Sequence, residues 1–170
     1  MTLLRNVTFG MLLAAALTTS AQAAEFKAKS GVFAWLSVGT VYALEEGHIL
    51  WIGEFSGTSL DNGAGTFLDH AGVQCPGYLD ILASAGTAKG AGSCIWTLTS
   101  GDKVFASWQC EGGAPMSGKA CDGPLTVTGG TGKMAGIAGS WNFHAYTVAF
   151  HPDGKGSGYS DLDEVTYTLP

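Results

Sequence analysis

The chain has 170 residues, with 8 Lys and Arg against 14 Asp and Glu and a formal net charge of −6. That acidic balance argues against nucleic acid and anionic lipid as partners, since both would repel it. With 26 glycines, 13% charged residues and 11% aromatics, the composition points to many short strands and tight turns rather than helices.

Residues 1–23 have the layout of a secretory signal. Met1 to Asn6 carry one base, Arg5, and no acid; Val7 to Leu17 are mostly apolar; Ala21-Gln22-Ala23 fits the small-x-small pattern of a cleavage site. The apolar run falls short of the roughly 20 residues that span a bilayer. The expected mature chain is residues 24–170, which is 170 − 23 = 147 residues and suits a single domain. Losing Arg5 leaves 7 bases against 14 acids, a net charge of −7. No later segment is long and apolar enough to be a membrane span, so a periplasmic or secreted protein is expected.

The 4 cysteines, Cys75, Cys94, Cys110 and Cys121, all fall in the exported part, and an even count in an oxidising compartment favours two disulfides. Pairing Cys75 with Cys94 and Cys110 with Cys121 would tie down two Gly/Pro/Ser-rich loops. A rival pairs Cys94 with Cys110, which are equidistant from Asp102 and would face each other across a hairpin. The spacings do not fit a zinc site.

In chain order, Lys27 to Tyr42 has the β-branched and aromatic content of a first strand, with Phe33 and Trp35 on one face and Val32, Leu36 and Val38 on the other. Leu44 to Gly47 turns it into His48 to Thr58, which sets His48, Leu50, Ile52, Glu54 and Ser56 against Ile49, Trp51, Gly53 and Phe55. Asp61 to Gly65 reads as loop. Phe67 to Cys75 predicts a short third strand stopped by Pro76-Gly77, and Tyr78 to Gly86 leaves room for one helical turn. Lys89 to Thr99 and Lys103 to Cys110, joined by Ser100-Gly101-Asp102, form the clearest hairpin. Asp122 to Thr128, Trp141 to Phe150 and Gly158 to Leu169 complete about eight strands, with a turn at His151-Pro152-Asp153-Gly154. Strands at this spacing, several of them apolar on both faces, predict an all-β barrel with a filled interior and a covered or oligomeric outer face.

Between the segments Asp122 to Thr128 and Trp141 to Phe150 lies a glycine-rich corner, Thr128-Gly129-Gly130-x-Gly132-x-x-x-Gly136-x-x-Gly139. A phosphate-loop reading fails there, because that motif's first glycine would fall at Val127 and its Ser/Thr at Met134. The corner instead resembles that of the allene oxide cyclase-like barrels, a set that includes dirigent-like plant barrels and exported bacterial proteins. The resemblance is firm over about fifteen residues and extends loosely, by strand count, over the mature chain. It implies an eight-stranded antiparallel barrel with an apolar interior, often in trimers. Plant members cyclise an unstable fatty-acid epoxide, using an acidic residue of the first strand and a water held by polar neighbours. Phe26 to Tyr42 contains no Asp or Glu, so the fold is carried over and the activity is not.

Candidate sites follow from the strands. Glu54 sits mid-strand and, if it points inward, would titrate high and orient a ligand; if outward, it is an ordinary surface charge. His48, His70, His144 and His151 are scattered without metal-ligand spacing, and Asp161, Asp163 and Glu164 lack the glycine and spacing of a calcium loop. No nucleophile elbow is present, and no cofactor or metal is expected. The 5 tryptophans, Trp35, Trp51, Trp96, Trp108 and Trp141, all lie in predicted strands, where they either line a pocket or fill a core. The reading is a non-enzymatic barrel holding a small apolar ligand, lined by Trp35, Trp108, Phe143 and Tyr167, with Glu54 as polar anchor. The alternatives are an isomerase or cyclase of a lipid-derived substrate that uses a buried Glu54, and a filled barrel that acts as a structural homo-oligomer.

Overall fold

A computed structural model describes residues 23–61 and 65–170. Residues 1–22 of the predicted signal segment lie outside the described residues, as do residues 62–64 of the 61–65 loop. The described residues form ten strands: β1 (Ala24–Ala28), β2 (Gly31–Glu45), β3 (His48–Asp61), β4 (Ala71–Leu82), β5 (Thr87–Thr97), β6 (Lys103–Gly113), β7 (Cys121–Gly130), β8 (Ala138–Phe150), β9 (Gly156–Leu162) and β10 (Val165–Leu169). Each of β2 to β9 pairs antiparallel with its sequence neighbour, and β9 pairs back onto β2, so these eight strands close into a barrel.

The first and last strands predicted from sequence are each split. Lys29-Ser30 separates β1 from β2, and Asp163-Glu164 separates β9 from β10. Beyond the splits, β1 and β10 pair with each other, from Ala24 opposite Leu169 to Ala28 opposite Val165, and β10 also meets β8 at Gly139 and Ala138. The barrel wall thus continues as a short flap that folds over one end.

Alternation along the strands sets what is inside. On β2 Phe33, Trp35 and Ser37 are buried while Val32, Leu36 and Val38 face out; on β3 Trp51 is inside with Phe55 in the same phase. This matches the faces read from the sequence. The interior is filled by pairing large with small, as a barrel of this size requires. Trp51 lies over Gly39 and Gly53, Trp35 over Gly158, and Trp108 over Gly77, Gly90 and Gly92. A methyl group at Gly92 would lie 2.7 Å from Trp108 Nε1 and closer still to the Pro76 carbonyl. These glycines are therefore seats for indole rings.

Two expectations need correcting. Tyr78 to Leu82 is not helical but the second half of β4, which begins at Ala71 and runs through Pro76. Pro76 is tolerated because its missing N–H falls where the ladder is broken: β4 and β5 pair from Gly72 to Gln74 and again from Gly77, but not at Cys75 and Pro76. Phe67 is not in a strand. With Leu68 it folds inward as a plug across the flap end, buried to 5% and 0% exposure, and held by Ser59 Oγ donating to the Leu68 carbonyl at 2.6 Å. Thr66 ties the plug to the end of β3, its hydroxyl and its amide both donating to Asp61 Oδ2, at 2.6 and 2.8 Å.

The glycine corner is a short 3-10 turn, Gly132–Met134, leading to buried Ile137. It docks on the β5–β6 hairpin: the Lys103 amide donates to Thr131 Oγ1 and the Thr131 amide to the Lys103 carbonyl, each at 2.8 Å. Gly132, with φ +56°, sits against the Asp102 carboxylate where no side chain would fit. Its role is architectural.

Candidate site in the barrel interior

The wall carries two disulfides, Cys75–Cys94 between β4 and β5 and Cys110–Cys121 between β6 and β7. The rival Cys94–Cys110 pairing is ruled out by register, since Cys94 stands opposite Ala106 and Cys110 opposite Gly90. All four half-cystines point inward, at 4–8% exposure. They form part of the lining of a cavity of about 70 Å³.

The cavity runs from mid-barrel toward the end formed by the β6–β7 loop, where Pro115 and Thr147 are part-exposed. Its walls are Phe33 and Trp35 from β2, Phe55 from β3, Trp96 and Trp108 from β5 and β6, and Phe143 from β8. Phe55 meets Trp35, Trp51 and Trp108 at centroid distances of 5.1, 4.8 and 6.0 Å, and Trp108 meets Phe143 edge-on at 6.4 Å. Phe55–Trp51 is tilted, and the other three contacts are edge-to-face, an arrangement that aromatic pairs prefer. The opposite end is closed by Phe67, which lies 5.0 Å from Tyr167 and 6.0 Å from both Trp96 and Trp141.

Among the described residues, no Asp, Glu, His, Lys or Arg lines the cavity. Its side-chain polar groups are the hydroxyls of Ser160 and Thr147 and the indole N–H groups. Trp35 Nε1 donates to Ser160 Oγ at 3.3 Å. Trp51, outside the lining, donates from Nε1 to the Gly154 carbonyl at 2.8 Å, which pins the β8–β9 turn over that end.

Of the residues singled out from the sequence, Trp35, Trp108 and Phe143 come together on the cavity wall. Tyr167 does not. It is buried at the closed end, stacked on Phe26 at 5.1 Å, and burial pushes its phenol above the ordinary range while the Phe67 backbone pulls it back. Glu54 is on the outside of the barrel. It stands opposite Val38 and Pro76, whose side chains also face out, and Gln74 Nε2 donates to its Oε1 at 3.4 Å. A one-residue offset from Phe55 put it on the solvent phase, which removes it as an anchor and as the acid of a cyclase. Reasoning from sequence missed Trp96, Phe55 and the half-cystines as lining. Phe55 and Trp51 share a phase in the sequence, and that was the available signal.

The histidines are organised without forming a metal site, and among the described residues no group of three ligating side chains converges. His144 on β8 is bracketed on the outer face, Nδ1 at 2.7 Å from Asp122 of β7 and Nε2 at 3.0 Å from Asp163 in the β9–β10 break. His48 is bracketed likewise, Nε2 at 2.7 Å from Asp80 of β4 and Nδ1 at 3.3 Å from Glu45 of β2. The flanking carboxylates raise both imidazoles, Asp122 contributing most at His144 and Asp80 most at His48.

With this geometry in place, the chain can be set against known proteins. No protein-family model matches it, and no curated protein matches it. Among solved structures it is similar to that of the pterocarpan synthase dirigent protein GePTS1, with a TM-score of 0.50 and 13% identity, over 95% of this chain and 98% of that one. The fold is a dirigent-like β-barrel. At that identity the likeness carries the architecture alone. No helix among the described residues is long and apolar enough to cross a membrane.

Proposed function

We propose that this is an exported, non-enzymatic binding protein whose barrel holds a small neutral, largely apolar molecule. The carrying observation is the cavity lined by aromatic rings and two disulfides with, among the described residues, no ionisable group on its wall. Proton transfer at such a wall lacks a donor or base of suitable pKa, and a charged occupant would be left without a counter-charge. The cavity's 70 Å³ sets the size. An apolar cavity of roughly 150 Å³ admits benzene, so the occupant is a few atoms wide at depth, with the rest of it at the mouth. Native mass spectrometry of protein purified from its own compartment tests this. A bound low-mass species lost on denaturation is expected. Protein that carries no such species and takes up no apolar probe sinks the reading.

A second reading is supported by the outer face. Leu36, Val38, Ile52 and Tyr78 are 64%, 62%, 48% and 43% exposed on adjacent β2, β3 and β4. Exposed apolar side chains gathered on one sheet face, here with Ser56 opposite Leu36 and Glu54 opposite Val38, mark an interface, and a second copy of the chain is the proposed occupant. Light scattering should give an oligomer that Val38→Glu dissociates; a monomeric wild type rejects it.

A further inference from the structure

Strand β2 has a free edge. It pairs with β3 along its whole length, from Gly31 opposite Asp61 to Glu45 opposite His48, but with β9 only from Gly31 opposite Leu162 to Ser37 opposite Gly156. Past Ser37 the β8–β9 turn serves for one more rung, the Gly39 amide donating to the Gly154 carbonyl at 3.1 Å. Beyond that rung, among the described residues, nothing bonds the backbone of β2 on this side. Backbone groups alternate in direction along a strand, so Val41 and Ala43 turn their N–H and C=O the same way as Gly39, into the open. Ala43 is exposed although its side chain is a single methyl group, and its neighbours Tyr42 and Leu44 are 49% and 55% exposed. An open ladder of this kind recruits another strand unless a lysine, a proline or a cover guards it. The stretch Val38-Gly-Thr-Val-Tyr-Ala-Leu44 holds no charge and no proline, and the acids Glu45 and Glu46 stand only at the tip.

We propose that this edge is where a second copy of the chain attaches, the two β2 strands pairing antiparallel about a two-fold axis at Ala43 so that the sheet runs from one barrel into the other. The inference rests on the reading that the chain pairs with a second copy, and it names the atoms that join the two. An edge that presents donors and acceptors together is its own complement, as a two-fold interface demands. In this register the Ala43 residues of the two copies exchange both backbone hydrogen bonds, and Tyr42 of each copy comes opposite Leu44 of the other. Charge selects the direction. Parallel strands would lay the Glu45-Glu46 tips of two acidic chains side by side. Antiparallel pairing sends the tips to opposite ends of the seam, each toward the other copy's β8–β9 turn, where Lys155 is exposed beside Asp153 and His151. A register centred nearer Gly39 would run each tip into that turn, because Gly154 already fills the place beside Gly39.

The test joins hydrogen exchange on the unaltered chain to cross-linking. In the wild type, the Val41 and Ala43 amides should be protected from deuterium exchange at high protein concentration and lose that protection on dilution. None of the native cysteines is free, so a single new one reports cleanly. Opposed hydrogen-bonded residues of antiparallel strands have Cα atoms about 5.5 Å apart, within reach of a disulfide. Ala43→Cys should therefore form a covalent dimer on oxidation. Leu36→Cys should not, although Leu36 is 64% exposed, because it lies on the stretch of β2 that β9 already covers. Ala43→Pro removes a donor that faces away from β3, so it should keep the barrel and raise the dimer dissociation constant roughly tenfold or more, the worth of two neutral hydrogen bonds. An oligomer in which Leu36→Cys cross-links and Ala43→Cys does not, with Val41 and Ala43 exchanging alike at every concentration, overturns the edge pairing and leaves the outer-face interface standing. A monomeric wild type overturns both. The exchange measurement decides the matter even if Ala43→Pro fails to fold.

Discussion

At the scale of single residues, the interior is a fit between indoles and glycines, and it is there that small changes should cost most. Gly92→Ala would push a methyl group into the Pro76 carbonyl and Trp108 Nε1. Overpacking of this kind destabilises by about 1–3 kcal/mol. Gly72 on the same sheet faces open space, its nearest neighbour being the Thr97 carbonyl at 3.9 Å. Gly72→Ala should therefore be neutral or stabilise by a few tenths of a kcal/mol through the unfolded state. Urea unfolding of the two variants beside the wild type checks both; equal midpoints would mean the glycines are not seats for the rings.

At the scale of elements, the two bracketed histidines act as straps. His144 joins β7, β8 and the β9–β10 break, and His48 joins β2, β3 and β4. Only an imidazolium donates from both nitrogens, so each strap is complete when protonated. Asp161, which pairs with His144 across β8 and β9, adds a third exposed acid nearby. The sign follows. Both imidazoles titrate above 6.5 in the folded chain. Their contribution is thus fully present below the unfolded value of about 6.5 and is lost as pH rises through the raised folded values. The melting temperature should fall as pH climbs through that window, and Asp163→Asn should flatten the fall and lower the His144 pKa measured by NMR. Because the pairs are solvent-exposed, the effect should be modest and screened by salt. A melting temperature that rises through the same window would contradict the arrangement.

Strand existence and phase were largely legible in the sequence, because burial on one face writes a period of two into β2, β3, β5 and β6. Three features were not. Pro76 reads as a stop in any local rule, and only the break in the β4–β5 ladder beside Cys75 makes room for it. Phe67 and Leu68 look like strand residues, yet they serve as a plug, a tertiary role with no periodic signature. Glu54 could not be assigned a side until closure of the barrel fixed which phase was interior. Of the proposed lining, Trp35, Trp108 and Phe143 converge because each shares its phase with a buried neighbour. Tyr167 is equally buried but lies past the split at Asp163, beyond the cavity.

At the scale of the whole molecule, the disulfides and the flap bear on stability and on folding. Cys75–Cys94 closes a sequence separation of 19 and Cys110–Cys121 one of 11. Replacing the Cys75–Cys94 pair by serines should cost about 3 kcal/mol by loop-closure entropy, read as a lower denaturation midpoint. Since both bridges stand on the cavity wall, the same variants should bind an apolar probe differently from the wild type, whereas bridges with a purely mechanical role would leave binding unchanged.

The β1–β10 flap has a consequence for how the barrel assembles. Ala24 stands opposite Leu169, so the last rung of the sheet joins residues 169 − 24 = 145 positions apart. The β2–β9 seam is nearly as long-range, while every other barrel pairing is a hairpin between sequence neighbours. Distant pairings are slow to form, so the meander should zip first and the seam should set the rate. A circular permutant that links residue 169 to residue 24 through a short loop, and reopens the chain at the exposed Gly101 turn, makes the flap and the β2–β9 seam local and the β5–β6 hairpin distant. It should keep the same barrel and fold faster, with the largest change in the refolding limb of its chevron.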